Sequence, residues 1–160
     1  MSLTKLASFS VLFASIAGPA LADTTVHVDL WDRGGMMDMS GHVRWGMGMH
    51  RNPAMAMMAI RADKTSVPAG KVSFEVTNVS KGTIHEMIVA PIANKDATLP
   101  FNAKENRVDE DMAGDLGEVS ELDPGASGAL TLNLKPGLYV LYCNVPGHFM
   151  AGMWTTIEVK

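Results

Sequence analysis

Apolar and polar residues alternate with a period of two through much of the chain. Val26, Val28 and Leu30 share one face of the run from Thr25 to Leu30, which predicts a half-buried strand. A second strand is predicted from Met55 to Ala62. Beyond the Val67-Pro68-Ala69-Gly70 turn, Val72, Phe74 and Val76 alternate with Ser73, Glu75 and Thr77; Ile84 to Ala90 continues the pattern and Pro91 ends it. Leu130, Leu132 and Leu134 again lie on one face, a Lys135-Pro136-Gly137 turn follows, and Leu138 to Tyr142 and Thr155 to Val159 read as the last strands. Seven or eight short strands, regular turns and few helical signals predict an all-β chain folded as a β-sandwich.

Two stretches break this rhythm. Residues 34 to 58 hold eight of the 13 methionines, interleaved with glycine, His42, Trp45 and His50, and read as irregular until about Met55. Residues 93 to 123 lack a strand period and carry Asp109, Glu110, Asp111, Asp115, Glu118, Glu121 and Asp123, with no basic residue after Arg107. They predict an excursion with one short helix. A charge run of this kind reads as a solvated face, with docking of a basic partner as the alternative.

The start of the chain has another character. Lys5, the apolar run from Leu6 to Ala17 and the triplet Ala20-Leu21-Ala22 predict a signal peptide over residues 1–22, cleaved after Ala22, and hence an exported, periplasmic protein. The run is too short to span a bilayer, and no later segment is apolar for longer, so no membrane insertion is expected. Without Lys5, 12 basic side chains face 17 acidic ones, which argues against a nucleic-acid partner. Residues 23–62 are taken as the first strand and the Met/His-rich segment, residues 63–160 as the core, and 23–160 as one domain. A single cysteine, Cys143, cannot form an internal disulfide, so in an oxidising compartment the thiol needs another role.

The sequence around it suggests one. A strand ending at Tyr142 delivers Cys143, and His148 and Met153 return within ten residues. With His85 upstream, two imidazoles, a thiolate and a thioether become available, a set that suits copper better than zinc. Each residue alone has a structural reading: an inert buried thiol, a surface histidine, a histidine of the core. Met150 competes with Met153 for the thioether position, and spacing together with the preceding Ala151-Gly152 favours Met153.

Cys-x4-His-x4-Met near the C-terminus, preceded by Lys135-Pro136-Gly137-x-Tyr139 and joined by a distant His85 at a strand start, resembles the cupredoxins, the blue or green copper proteins. The resemblance spans roughly residues 65 to 160. It implies a Greek-key β-sandwich with a Met/His-rich N-terminal extension, one type 1 copper, and His85, Cys143, His148 and Met153 as its ligands. Glu86 stands where asparagine is often found beside the first histidine, which leaves the local hydrogen bonding open. His148 is expected near the surface in an apolar collar of Val145, Pro146, Phe149 and Met150.

The Met/His-rich stretch is a second signal. Methionine can be core filler, which suits Met55, Met57 and Met58. It suits Met36, Met37, Met39, Met47 and Met49 less well, because glycine and charged residues surround them. With His42, Trp45 and His50 they form a candidate accessory site for Cu(I). The run Trp45-Gly46-Met47-Gly48-Met49-His50 is similar, with different spacing, to the Trp, Met and His set of small periplasmic Cu(I)/Ag(I) chaperones.

The expected function is that of a non-enzymatic copper protein that handles copper in tolerance, with one-electron Cu(I)/Cu(II) chemistry and a redox or copper-exchange protein as partner. A dedicated electron carrier for a respiratory partner is the alternative. A thiol enzyme using Cys143 and His148 belongs to a different class and would need no metal. Copper oxidase or nitrite reductase chemistry needs further centres built from paired histidines, and the five histidines include no His-x-His.

Overall fold

The computed structural model describes residues 23–34 and 57–160. The expected signal peptide, the first residues of the Met55 to Ala62 run and the accessory candidates Met36, Met37, Met39, His42, Trp45, Met47, Met49 and His50 lie outside the described residues.

The alternating runs become strands of two sheets. One sheet has the order β2-β1-β4-β9, built from β1 (Thr24–Asp32), β2 (Met58–Ala62), β4 (Gly70–Asn78) and β9 (Ser127–Leu134). The other has the order β3-β11-β10-β5-β8, from β3 (Ser66–Val67), β5 (His85–Ile92), β8 (Gly117–Leu122), β10 (Gly137–Tyr142) and β11 (Trp154–Val159). β1 runs parallel to β4 and antiparallel to β2, so the order in space departs from the order in the chain, as a Greek-key sandwich requires. The Met/His-rich stretch is thereby bracketed by two paired strands: Asp32 faces Met58 in register, and the Arg33 amide donates to the Met57 carbonyl at 3.0 Å.

Val26, Val28 and Leu30 of β1 and Val72, Phe74 and Val76 of β4 pack against Met87 and Val89 of β5 and Leu141 of β10 to form the core between the sheets. The other face of β5 and β10 is buried too. Ile88, Ala90, Val140 and Tyr142 lie under Val108 and Ala113 from the 93–114 excursion and under Phe149. Burial on both faces explains why alternation gives way to unbroken apolar stretches at Met87 to Ala90 and Leu138 to Tyr142.

The excursion is more ordered than its composition predicts. It holds a small ribbon, β6 (Phe101–Asn102) with β7 (Arg107–Val108), and the helix α1 (Glu110–Ala113), capped by the Asp109 side chain and ended by Gly114 in a left-handed conformation. The stretch read as lacking strands also contains β8, which pairs with β5 as an edge strand. Only Val119 of β8 is buried, so the strand shows little apolar alternation and its charges read as a solvated run. β5 continues through Pro91 to Ile92. Its pairing with β8 ends at Val89, and beyond that point a residue without an N–H is tolerated.

Gly128 of β9 lies against the β8 edge: a Cβ built there would sit 2.5 Å from Cγ1 of Val119. Gly128→Ala is therefore expected to destabilise the fold by about 1–3 kcal/mol, read from denaturant unfolding. Val119→Ala in the same chain should recover most of that loss; a double variant no more stable than Gly128→Ala would show that packing against Val119 is not the cause.

Candidate metal centre

Three donors from two distant parts of the chain meet in the interior. β10 carries Cys143 just past its end, β5 begins at His85, and the loop after Cys143 supplies His148. Nδ1 of His148 lies 3.3 Å from Sγ of Cys143 and 3.2 Å from Nδ1 of His85. All three ligand atoms fall within 4.8 Å of one another, and all three residues are buried. Among the described residues this is the one such cluster of histidine, cysteine and carboxylate side chains.

Local chemistry explains how each donor is held. Gly147 and Gly152 take φ of 88° and 89°, which lets the loop turn twice in ten residues. His148 N donates to Val145 O at 2.9 Å, Met153 N to His148 O at 3.0 Å, and Cys143 N to Met153 O at 3.0 Å. Met153 is thereby returned beside Cys143, fully buried in the same core, whereas Met150 is only half-buried against the outer cluster. His85 follows a connection anchored by buried Asn78, whose amide donates to the carbonyls of Thr83 and Leu122 at 2.8 and 2.7 Å.

Glu86 makes the link that its departure from asparagine left open. Its amide points at Cys143 Sγ at 3.5 Å, and its Oε1 accepts from the Asn144 amide at 3.0 Å. The Asn144 side chain in turn holds both the N–H and the carbonyl of Val108, at 2.7 and 3.0 Å, and donates to Glu110 Oε1 at 2.6 Å. Behind His85, Nε2 lies 3.1 Å from Oδ2 of Asp32. Asp32, Asn78 and Asn144 went unnoticed in the sequence. The available signal was position: Asp32 and Asn78 continue the inward phases of Val26-Val28-Leu30 and Val72-Phe74-Val76.

The expected collar around His148 is corrected. Phe149 is interior, 6.2 Å from Phe101 in a stacked arrangement and 5.9 Å from Tyr142 edge-on. Only Val145, Pro146 and Met150 retain exposure, and His148 itself is 6% exposed. The turn at Gly147 sends the next side chains inward instead of out.

Burial sets the protonation of the donors. It pushes the pKa of His148 down to about 4, helped by the neighbouring His85, and lowers that of His85 against the opposing pull of Asp32. Both imidazoles are therefore neutral near pH 7 and offer lone pairs. Burial pushes the Cys143 thiol up to about 12, so without a cation the proton stays on sulfur. Burial and nearby acidic groups raise Glu86 to about 7, against the Asn144 hydrogen bond. Two neutral imidazoles and a soft sulfur that becomes a thiolate on coordination fit a type 1 copper centre.

The model of the copper-binding proteins of the plastocyanin/azurin family matches residues 48–160. The chain belongs to that family of cupredoxins. Rusticyanin from Thiobacillus ferrooxidans shares the fold with a TM-score of 0.54 and 18% identity, over 87% of this chain and 79% of that one. Auracyanin B aligns with a TM-score of 0.50 and 28% identity, over 64% of this chain and 80% of its own. No curated protein sequence matches. The protein is a copper protein of the one-electron class, and no helix among the described residues is long and apolar enough to cross a membrane.

Two outcomes follow from the buried thiol. Cys143→Ser should abolish the strong visible charge-transfer band of the Cu(II) protein, and a band that survives would remove Cys143 from the site. Because the thiol must lose its proton on binding, apparent Cu(II) affinity should rise about tenfold per pH unit through neutrality. The slope should steepen below about pH 4, where His148 takes up a proton. Competition against a chelator between pH 3.5 and 8 measures this; a flat profile near pH 7 would mean that the thiolate is not the ligand.

Proposed function

We propose that this chain is an exported, periplasmic cupredoxin that handles copper, in which His85, Cys143 and His148 would hold the metal and Met153 would supply a thioether as fourth ligand. The carrying observation is the convergence of three buried donors, two of them Nδ1 atoms 3.2 Å apart. Met153 is favoured over Met150 because it is buried beside Cys143. When bound, the copper supplies a single exchangeable electron at a soft site. The protein's own contribution is to keep both imidazoles neutral, to hold the loop by the Cys143–Met153 backbone bond, and to exclude water.

Copper handling, in preference to electron carriage alone, is supported by the Met/His-rich stretch between β1 and β2. Thioethers stay uncharged and unprotonated, and suit Cu(I). On this reading Met36, Met37, Met39, Met47 and Met49, with His42, Trp45 and His50, supply a second Cu(I) site, and the partner is a copper-exchange or redox protein. The second reading, a dedicated electron carrier, rests on the family itself. Cu(I) bound per chain in a Cys143→Ser background, compared with the same background carrying the five methionines as leucine, decides between them. A drop of one Cu(I) per chain is expected; equal stoichiometry would reject the accessory site and favour the carrier.

A further inference from the structure

β1 ends on a residue that its inward phase would assign to the core, yet that residue is Asp32, with a side chain only 6% exposed. A carboxylate is costly there unless it is fully partnered. Oδ1 accepts from the Gly34 amide at 2.8 Å, the Thr83 hydroxyl donates to the carboxylate, and Oδ2 faces His85 Nε2 at 3.1 Å. The last contact spans the sandwich, because β1 belongs to one sheet and His85 opens a strand of the other. It also determines ring chemistry. An ionised carboxylate accepts only, so the facing Nε2 must carry the proton, which leaves the lone pair on Nδ1. Nδ1 is the atom that meets His148 and the Cys143 cluster.

We propose that Asp32 is a positioning residue for the copper: its carboxylate locks His85 in the tautomer whose Nδ1 faces Cys143 and His148, and its buried negative charge favours Cu(II) over Cu(I). The proposal rests on His85 being a ligand. It extends that reading to a residue 53 positions away in sequence, on the strand that leads into the Met/His-rich stretch. Partners that orient a ligating histidine shift metal affinity by tenfold or more. Here the effect falls unequally on the two oxidation states, because a fixed negative charge stabilises the divalent ion more strongly. A carboxylate that merely clips the two sheets together would affect stability and neither tautomer nor oxidation-state preference.

Asp32→Asn separates these roles, since the near-isosteric amide keeps a hydrogen-bonding group, removes the charge and can face Nε2 as donor or acceptor. In the metal-free full chain, long-range proton–nitrogen-15 correlation spectra should show His85 protonated on Nε2 in the wild type and divided between two tautomers in Asp32→Asn. In the copper-loaded chain, the variant should lose about tenfold in its preference for Cu(II) over Cu(I), a 59 mV rise for a one-electron couple, while Asp32→Glu should return within threefold of wild type. A wild-type His85 protonated on Nδ1 overturns the proposal, and needs no variant to fold. An Asp32→Asn chain with unchanged tautomer and potential overturns it as well, whatever its stability. A His85→Gln chain that keeps the visible band would refute the ligand reading instead, leaving the metal-free tautomer as an independent result.

Discussion

The structure depends on holding the Cys143 sulfur and the imidazoles of His85 and His148, both neutral near pH 7, within 4.8 Å of one another in the interior. Sγ of Cys143 and the Nδ1 atoms of His85 and His148 would each be better solvated in water. They stay together because each is fastened to a different part of the sandwich: Cys143 to the end of β10, His85 to the start of β5, and His148 to a loop closed by its own backbone bonds. Rigidity of this kind limits how far the ligands can rearrange when the charge on the metal changes. That is the property a one-electron centre requires.

Four polar residues brace the donors: Asn78 and Asn144, which are buried, and Glu86 and Asp32, which are partly buried. Asn78, Asn144, Glu86 and Asp32 each have defined partners, and each ties a ligand-bearing segment to a neighbour. A half-satisfied network in the interior would be worse than an apolar core. Here the network spans both sheets and the excursion, so the ligand geometry is set by the packing of the whole domain and not by the metal loop alone.

Much of this was legible in one dimension. Period-two runs pointed to β1, β4, β9 and β11, short apolar runs bounded by turns pointed to β5 and β10, and the spacing of Cys143 and His148 pointed to the segment that meets His85 in the interior. What escaped has common physical causes. β8 has a single buried residue, so its edge position erased the alternation that reveals other strands. The loop position of Phe149 predicts a surface collar, whereas the 93–114 excursion provides a second core for it to enter. Asp32 meets His85 across 53 residues. Periodicity tells which side chains point inward, but the partner on the opposite sheet is decided by topology, which no local pattern carries.

The bonds between the metal loop and the excursion have a consequence for how such proteins can be recombined. Asn144 grips Val108 on both its N–H and its carbonyl, and Gly147 N donates to Asn106 O at 2.8 Å. A loop transplanted from another cupredoxin into this scaffold would leave those groups without their mates unless residues 106–110 travelled with it. The unit of exchange in this domain is thus a pair of segments separated by more than thirty residues, and chimaeras cut at the ends of the loop alone inherit a mismatch at the seam.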